Sequence, residues 1–185
     1  MSNWFETLEG LHIQVWDTLI QGLVDAGHPA RRPTFATVSP DNWPEARTVV
    51  LRGSDTEAGI VSVYSDLHSD KIRSLKKNPR AALHIWDPAQ ALQIRLKTEV
   101  TIASGPAVRP LWENIPAQSR QSYGVSPAPG RPIPDALDYI KNAYPDTFAV
   151  LHCRIITIDV VHLGDDHRRA SYSRSDDWAG KWLSP

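Results

Sequence analysis

Two arginines bracket a short apolar run, RTVVLR (47–52), and a second such run, IVSVYS (60–65), leads into a polar stretch carrying Ser69 and Lys71. A phosphate dianion needs charge-assisted donors from several directions. Arginine offers a planar fork, lysine a point charge, and serine a small hydroxyl that fits between them. The same side chains could equally be solvated charges at strand ends, and the residues alone leave both readings open. Further along, Gln93, Arg95 and Lys97 share one face of a strand-like run while Ile94 and Leu96 take the other. That face is either the wet side of a sheet or the polar wall of a ligand site.

Other chemistries lack their residues. The chain has no HExxH, CxxC, GxSxG, P-loop or dinucleotide-binding glycine pattern. Its histidines, at 12, 28, 68, 84, 152, 162 and 167, show no metal-ligand spacing, so no metal is expected. The one cysteine, Cys153, lies in the strand-like AVLHCRIITI and reads as a buried, inert thiol in a reducing compartment. Lys and Arg number 20 against 21 Asp and Glu, a balance of −1 that provides no global field to recruit nucleic acid or an acidic membrane. No apolar run reaches membrane-spanning length, and the acidic, aromatic MSNWFETLEG is unlike a signal peptide, so a cytoplasmic location is expected. Seven Trp against three Phe point to bulky packing or to a ring-lined ligand site.

Elements that could position the basic residues follow from periodicity. Residues 3–26 carry Trp4, Leu8, Leu11, Val15, Leu19 and Leu23 at helical spacing, with Asn3 and Glu6 placed to cap the start and Gly27 to stop it. Strands are expected at 34–39, 47–52, 60–65, 81–87, 91–102, 149–163 and 168–174, the last two as a hairpin around Gly164-Asp165-Asp166. Short helices are expected at 66–78, 108–123 and 135–142, with the Pro-rich SPAPGRPIP loop before the last. At 185 residues without a repeat, the chain reads as a single domain. The fold class is α+β, mainly β: a six- to seven-stranded antiparallel split β-barrel with flanking helices.

The spacing of these pieces resembles the pyridoxamine 5′-phosphate oxidase-like family of FMN-binding split barrels, from about residue 30 to the C-terminus. RTVVLR matches its Arg, four mostly apolar residues and a basic residue. Tyr64-Ser65-Asp66 and Ser69-Asp70-Lys71 match its Tyr-Thr-Asn and Ser-Arg-Lys, and NPRAAL its Asn-Pro-x-Ala. Gln93 falls at the family's flavin-contacting Gln. Gln118-Ser119 resembles its Gln-Ser pair, with Gln121-Ser122 as a rival, and His167-Arg168-Arg169 with Tyr172 resembles its His-x-Arg-x-x-Tyr.

The resemblance implies FMN as cofactor and a homodimer with the flavin between subunits. It implies FMN contacts from Arg47, Thr48, Val49, Val50, Leu51, Arg52, Tyr64, Ser65, Ser69 and Lys71 (the phosphate cradle being Arg47, Ser65, Ser69 and Lys71), with Gln93, Gln118, Ser119 and Arg169 also at the cofactor. His167 and Arg52 fall at substrate-contacting positions. The expected activity is an FMN-dependent oxidoreductase acting on a small molecule. The alternatives are a non-catalytic FMN-binding or storage protein, and a haem-binding split barrel using His84, His152 or His162. Several departures argue against pyridoxamine 5′-phosphate as the substrate. Asp70 stands where the family has a phosphate-binding Arg, and Asp165 where it has the Arg two residues before its substrate His. The Trp near the flavin is replaced around Val161 to Leu163, and the segment that binds the substrate phosphate is shortened around SGPAVRPLWEN.

Overall fold

The computed structural model describes residues 3–185. Helix α1 (Leu8–Val24) follows a 3-10 turn (Trp4–Glu6) and is capped by Thr7, whose Oγ1 accepts the Gly10 N–H at 3.0 Å. The expected single helix over 3–26 is therefore two pieces. Asn3 does pair with Glu6, but around the 3-10 turn, and α1 stops at Val24, three residues before Gly27. Its inner face, Leu11, Val15, Trp16, Leu19 and Gly22, is buried. Gly22 is required there, because a Cβ would lie 2.7 Å from the carbonyl carbon of Ala30. The 3-10 turn Pro29–Arg31 thus packs directly on the helix end.

Nine antiparallel strands form the main sheet: β1 (Thr34–Val38), β2 (Pro44–Thr48), β3 (Leu51–Asp55), β4 (Ile60–Asp66), β5 (Arg80–Asp87), β6 (Leu92–Ser104), and later β9 (Phe148–His162), β10 (Arg168–Ser173) and β11 (Lys181–Leu183). Between them, β7 (Val125–Ser126) and β8 (Ile140–Lys141) form a separate two-stranded ribbon. The order β11-β10-β9-β6-β5-β1-β2 leaves the sheet open, and β9 also pairs with β4, which carries β3. At 15 residues β9 is long enough to pair β4 with its first half, β10 with its second, and β6 along most of its length. The mainly β, antiparallel class with flanking helices holds, but the main sheet has nine strands where six or seven were expected.

Three local expectations fail for identifiable reasons. RTVVLR is not one strand: β2 ends at Thr48 and β3 begins at Leu51, with Val49 N–H bonding to Pro33 O between them. The chain leaves β1 there to join β4, so each half has a different partner. The expected helix at 135–142 is absent. Ile140 and Lys141 pair instead with Ser126 and Val125, and the preceding residues are turns and bends. The expected helix at 108–123 is broken into α3 (Arg109–Glu113) and α4 (Ala117–Arg120) at Pro116.

The core is the inner face of the sheet, with Phe35, Leu51, Val61, Val63, Leu83, Ile94, Leu96 and Ile158 buried against α1. A smaller cluster of Trp112, Ile115, Tyr123 and Phe148 holds the α3–α4 segment on the end of β9. Cys153 is buried, and burial pushes its thiol up to about 12.

Candidate functional site

Helix α2 (Asp70–Lys77) begins directly after β4, at the N-cap Ser69. The tight link brings Ser65, from the strand end, and Ser69 together with their Oγ atoms 3.0 Å apart. Lys71, in the first turn, folds back over both, its Nζ donating to Ser65 Oγ at 3.2 Å and to Ser69 Oγ at 3.4 Å. Burial lowers the pKa of this ammonium, as does Arg47, while Asp66 and Asp70 pull it back up. Arg47 is steered by its own strand: its guanidinium donates to Thr37 Oγ1 at 2.7 Å and to the Glu45 carboxylate at 2.9 Å. Glu45 in turn accepts from Ser74 on α2 at 3.2 Å, so one carboxylate ties β2 to the helix that carries Lys71.

These side chains line a cavity of about 390 Å³. Its walls are Arg47, Thr48, Val49, Val50 and Arg52 on one side, Tyr64, Ser65, Asp66, Ser69 and Lys71 on another, and Ser119, Ser122 and Tyr123 across from them. The third wall is held by Asp66. Its carboxylate accepts the His68 N–H and the Gly124 N–H, each at 2.7 Å, the second across 58 residues of sequence. Gly124 has φ +101°, and a Cβ there would lie 2.8 Å from the Tyr144 Cβ, so this turn needs glycine. Among the described residues Lys71 and Arg52 are in no ion pair. Arg52 Nε is buried without a hydrogen-bond partner. Half-buried cations without an ion-pair partner, beside two serine hydroxyls, are the donor set that a phosphate group requires. The cavity therefore fits the phosphate end of FMN.

Ten of the fourteen residues expected at the cofactor line this cavity. Within RTVVLR only Leu51 turns away, its side chain fully buried in the core. Ser119 and Ser122 both reach the cavity, whereas Gln118 and Gln121 line an adjoining recess of about 410 Å³ with Tyr139 and Lys141. Both Gln-Ser pairs thus present the same face, and the geometry does not separate them. Asp70, expected to set a negative charge beside the phosphate, turns away from the cavity toward Arg73 at 3.0 Å and Arg131 at 3.8 Å.

Gln93, Arg169 and His167 are not part of this cavity. Gln93 pairs in register with Trp86 on β5 and Val161 on β9, and Val161 pairs with Arg169, which pairs with Leu183. Directly opposed residues share a sheet face, so Trp86, Gln93, Val161, Arg169 and Leu183 form one row across five strands. Asp159 clamps Arg169 and Arg95, each at 2.8 Å. Burial pushes the Asp159 carboxyl up, but the hydrogen bonds and charges of the two guanidiniums outweigh it and hold it below its usual range. His167 is exposed in the β9–β10 turn.

The histidines considered as haem ligands lie elsewhere. His84 faces Gln93 at 3.4 Å, His152 faces Ser62 at 3.3 Å, and His162 stacks on Phe5 with ring centroids 4.3 Å apart. No group of three or more His, Cys, Asp or Glu among the described residues could hold a metal ion. No helix among them is long and apolar enough to cross a membrane. The anchoring roles of Glu45 and Asp66 are not signalled by local sequence. The one hint is that Glu45 and Arg47 stand two apart and so share a strand face.

Residues 13–104 match the family model described as pyridoxamine 5′-phosphate oxidase, FMN-binding domain. That segment contains Arg47 to Lys71 and Gln93, and ends before Ser119 and Arg169. The chain is 30% identical over 134 residues to pyridoxine/pyridoxamine 5′-phosphate oxidase 2 of Arabidopsis thaliana, spanning 66% of this chain and 67% of that protein. It is 38% identical over 88 residues to pyridoxine/pyridoxamine 5′-phosphate oxidase of Alkalilimnicola ehrlichii, but spans only 43% of that protein's length and 47% of its own. Among solved structures, a pyridoxamine 5′-phosphate oxidase-related, FMN-binding protein from Nostoc punctiforme superposes with a TM-score of 0.76 at 23% identity, covering 93% of this chain and 96% of that one. PhzG from Burkholderia lata, in complex with tetrahydrophenazine-1-carboxylic acid, superposes with a TM-score of 0.75 at 18% identity, covering 94% and 92%.

Proposed function

The chain belongs to the pyridoxamine 5′-phosphate oxidase family of FMN-binding proteins, and from that premise we propose that it is an FMN-dependent oxidoreductase acting on a small molecule other than pyridoxamine 5′-phosphate. The observation that carries this reading is the cluster of Arg47, Ser65, Ser69 and Lys71 around one cavity, with Lys71 half-buried and in no ion pair. When bound, FMN supplies the redox chemistry by accepting or donating a hydride. The residues of this chain bind and orient it. Lys71 and the free donors of Arg47 hold the phosphate, with Ser65 and Ser69 filling the gaps between charges. Glu45 and Asp66 keep the cradle in place.

The row containing Gln93 and Arg169 supports a homodimer. Tyr64, at the cradle, is level with Val150 on β9, while Gln93 and Arg169 are level with Val161, eleven residues further along. At about 3.3 Å per residue that is on the order of 35 Å of strand, further than one FMN reaches. If both groups serve the same flavin, the ring must be flanked by Gln93 and Arg169 of the partner subunit. Trp86, 43% exposed in that row, gives the face an apolar residue that a second copy would cover.

A carrier that only stored FMN would have no use for a second cavity beside the cradle. One exists: Arg52 and Tyr64 also line a neighbouring cavity of about 230 Å³. Oxidoreductase activity is therefore the better reading. The test is equilibrium titration of the flavin-free protein with FMN and with riboflavin. FMN should bind at about one per subunit and riboflavin far more weakly, and equal affinities would remove the cradle from the account.

A further inference from the structure

We infer that the cavity beside the phosphate cradle, lined by Arg31, Arg52 and Asn114, binds the carboxylate of a small substrate with an apolar body. This rests on the oxidoreductase reading and names the class of molecule it acts on.

Three separate elements build the cavity. Arg31 comes from the turn packed on the bare backbone of Gly22, and one of its amino groups is fixed by the helix-end carbonyls of Leu23 at 3.1 Å and Gly22 at 3.4 Å. That bond spends part of the fork and locks the rest in place. Arg52 comes from β3, with its guanidinium carbon 5.7 Å from the Tyr64 ring centroid and its Nε buried without a partner. Asn114 ends α3, its amide donating to Pro110 O at 3.0 Å.

Charge is uncompensated here. No carboxylate lines the cavity among the described residues, and neither guanidinium is in an ion pair. Burial lowers the Arg31 pKa, and the nearby charges of Arg52 and Arg32 lower it further, as expected for cations held together with no anion between them. An anionic ligand relieves this repulsion as well as filling the open donors.

The two cavities differ in the anion they suit. The cradle combines lysine and two serines with arginine, a set that surrounds a tetrahedral phosphate. The neighbouring cavity has neither lysine nor serine, and its charge comes from planar guanidinium forks, which match a planar carboxylate. Its remaining walls, Leu23, Leu111, Ile115 and Pro116, are apolar and suit a ring or a short hydrocarbon body.

Isothermal titration calorimetry on the FMN-loaded protein, with sodium benzoate, benzamide and phenyl phosphate as probes, tests the assignment. Benzoate should bind about tenfold or more tightly than neutral benzamide, and phenyl phosphate no more tightly than benzoate. Arg31→Gln should weaken benzoate about tenfold and leave benzamide and FMN affinity unchanged. Because Arg31 also caps α1, Asn114→Asp provides a second variant at an exposed helix end. Its added charge should repel benzoate by a similar factor while benzamide affinity stays put. Equal binding of benzoate and benzamide, tightest binding of phenyl phosphate, or undiminished benzoate affinity in both variants would overturn the inference. So would displacement of benzoate by FMN, which would place benzoate in the cradle. If the protein takes up no FMN, the oxidoreductase reading fails, but the same titrations on the flavin-free protein still decide the carboxylate subsite.

Discussion

Replacing Lys71 by Gln separates the phosphate contact from the rest of the flavin. Lys71 Nζ touches two serine hydroxyls at 3.2 and 3.4 Å and no carboxylate within ion-pair distance, so its charge has no partner in the flavin-free fold. A hydrogen bond to a charged group contributes about 1.5–3 kcal/mol, and each 1.4 kcal/mol is about tenfold, so FMN affinity should fall roughly 10- to 150-fold. Riboflavin, which lacks the phosphate, should bind the variant and the parent alike. Fluorescence titration of both ligands against both proteins at one fixed salt concentration reads this directly. The flavin-free protein offers an independent check. Burial and Arg47 depress the Lys71 pKa in the fold. Between that depressed value and the ordinary lysine value of about 10.4, the unfolded chain binds more protons than the folded one, so Lys71 makes stability rise with pH across that window. The stabilisation is fully present above the ordinary value and lost as pH falls through the folded one. The parent-minus-variant difference in unfolding free energy should therefore rise through the window, with the variant no less stable than its parent at neutral pH. A variant that loses FMN and riboflavin equally, or loses neither, would refute the assignment of Lys71 to the phosphate.

Three further outcomes are expected. Asp66→Ala should lower stability by about 1–3 kcal/mol for the Gly124 amide left without its acceptor, seen as a shifted urea midpoint, and should weaken FMN by loosening the Ser119–Tyr123 wall. Cys153 should resist iodoacetamide in the native protein at pH 8, because burial holds its thiol near a pKa of about 12, and should react at once in denaturant. Pyridoxamine 5′-phosphate should yield little or no peroxide with the FMN-loaded protein, and Asp165→Arg alone should not restore it, since Asp165 is an exposed turn residue and its replacement leaves the 104–114 segment unchanged; efficient turnover by either protein would contradict this.

The clustering of Arg47, Ser65, Ser69 and Lys71 around one cavity was legible because they are close in sequence, spanning one hairpin and one strand-to-helix link, whose geometry short-range rules govern. The sheet class was legible for the same reason, through alternation in IVSVYS, AALHIWD and the long β9. What failed depended on distant partners. RTVVLR has strand character throughout, yet β1 claims its first half and β4 its second, so it breaks at Val49. DALDYIKN has helical spacing, but Ile140 and Lys141 are taken up by pairing with Ser126 and Val125. Asp66 matched a family position, but its hold on Gly124 spans 58 residues and leaves no local trace. Arg31 and Asn114 lie 83 positions apart by their numbering and meet only because Gly22 admits one turn and the Trp112 cluster seats the other. Local sequence brings Arg47, Ser65, Ser69 and Lys71 together; the neighbouring cavity of Arg31, Arg52 and Asn114 is a product of tertiary packing.

The most direct test of the central claim is a crystal structure of the protein with FMN bound. The account predicts the phosphate within hydrogen-bonding distance of Lys71 Nζ and the Ser65 and Ser69 hydroxyls, and the ring flanked by Gln93 and Arg169 of the partner subunit. A phosphate seated away from Lys71, or a ring flanked only by residues of the subunit that holds the phosphate, would contradict it.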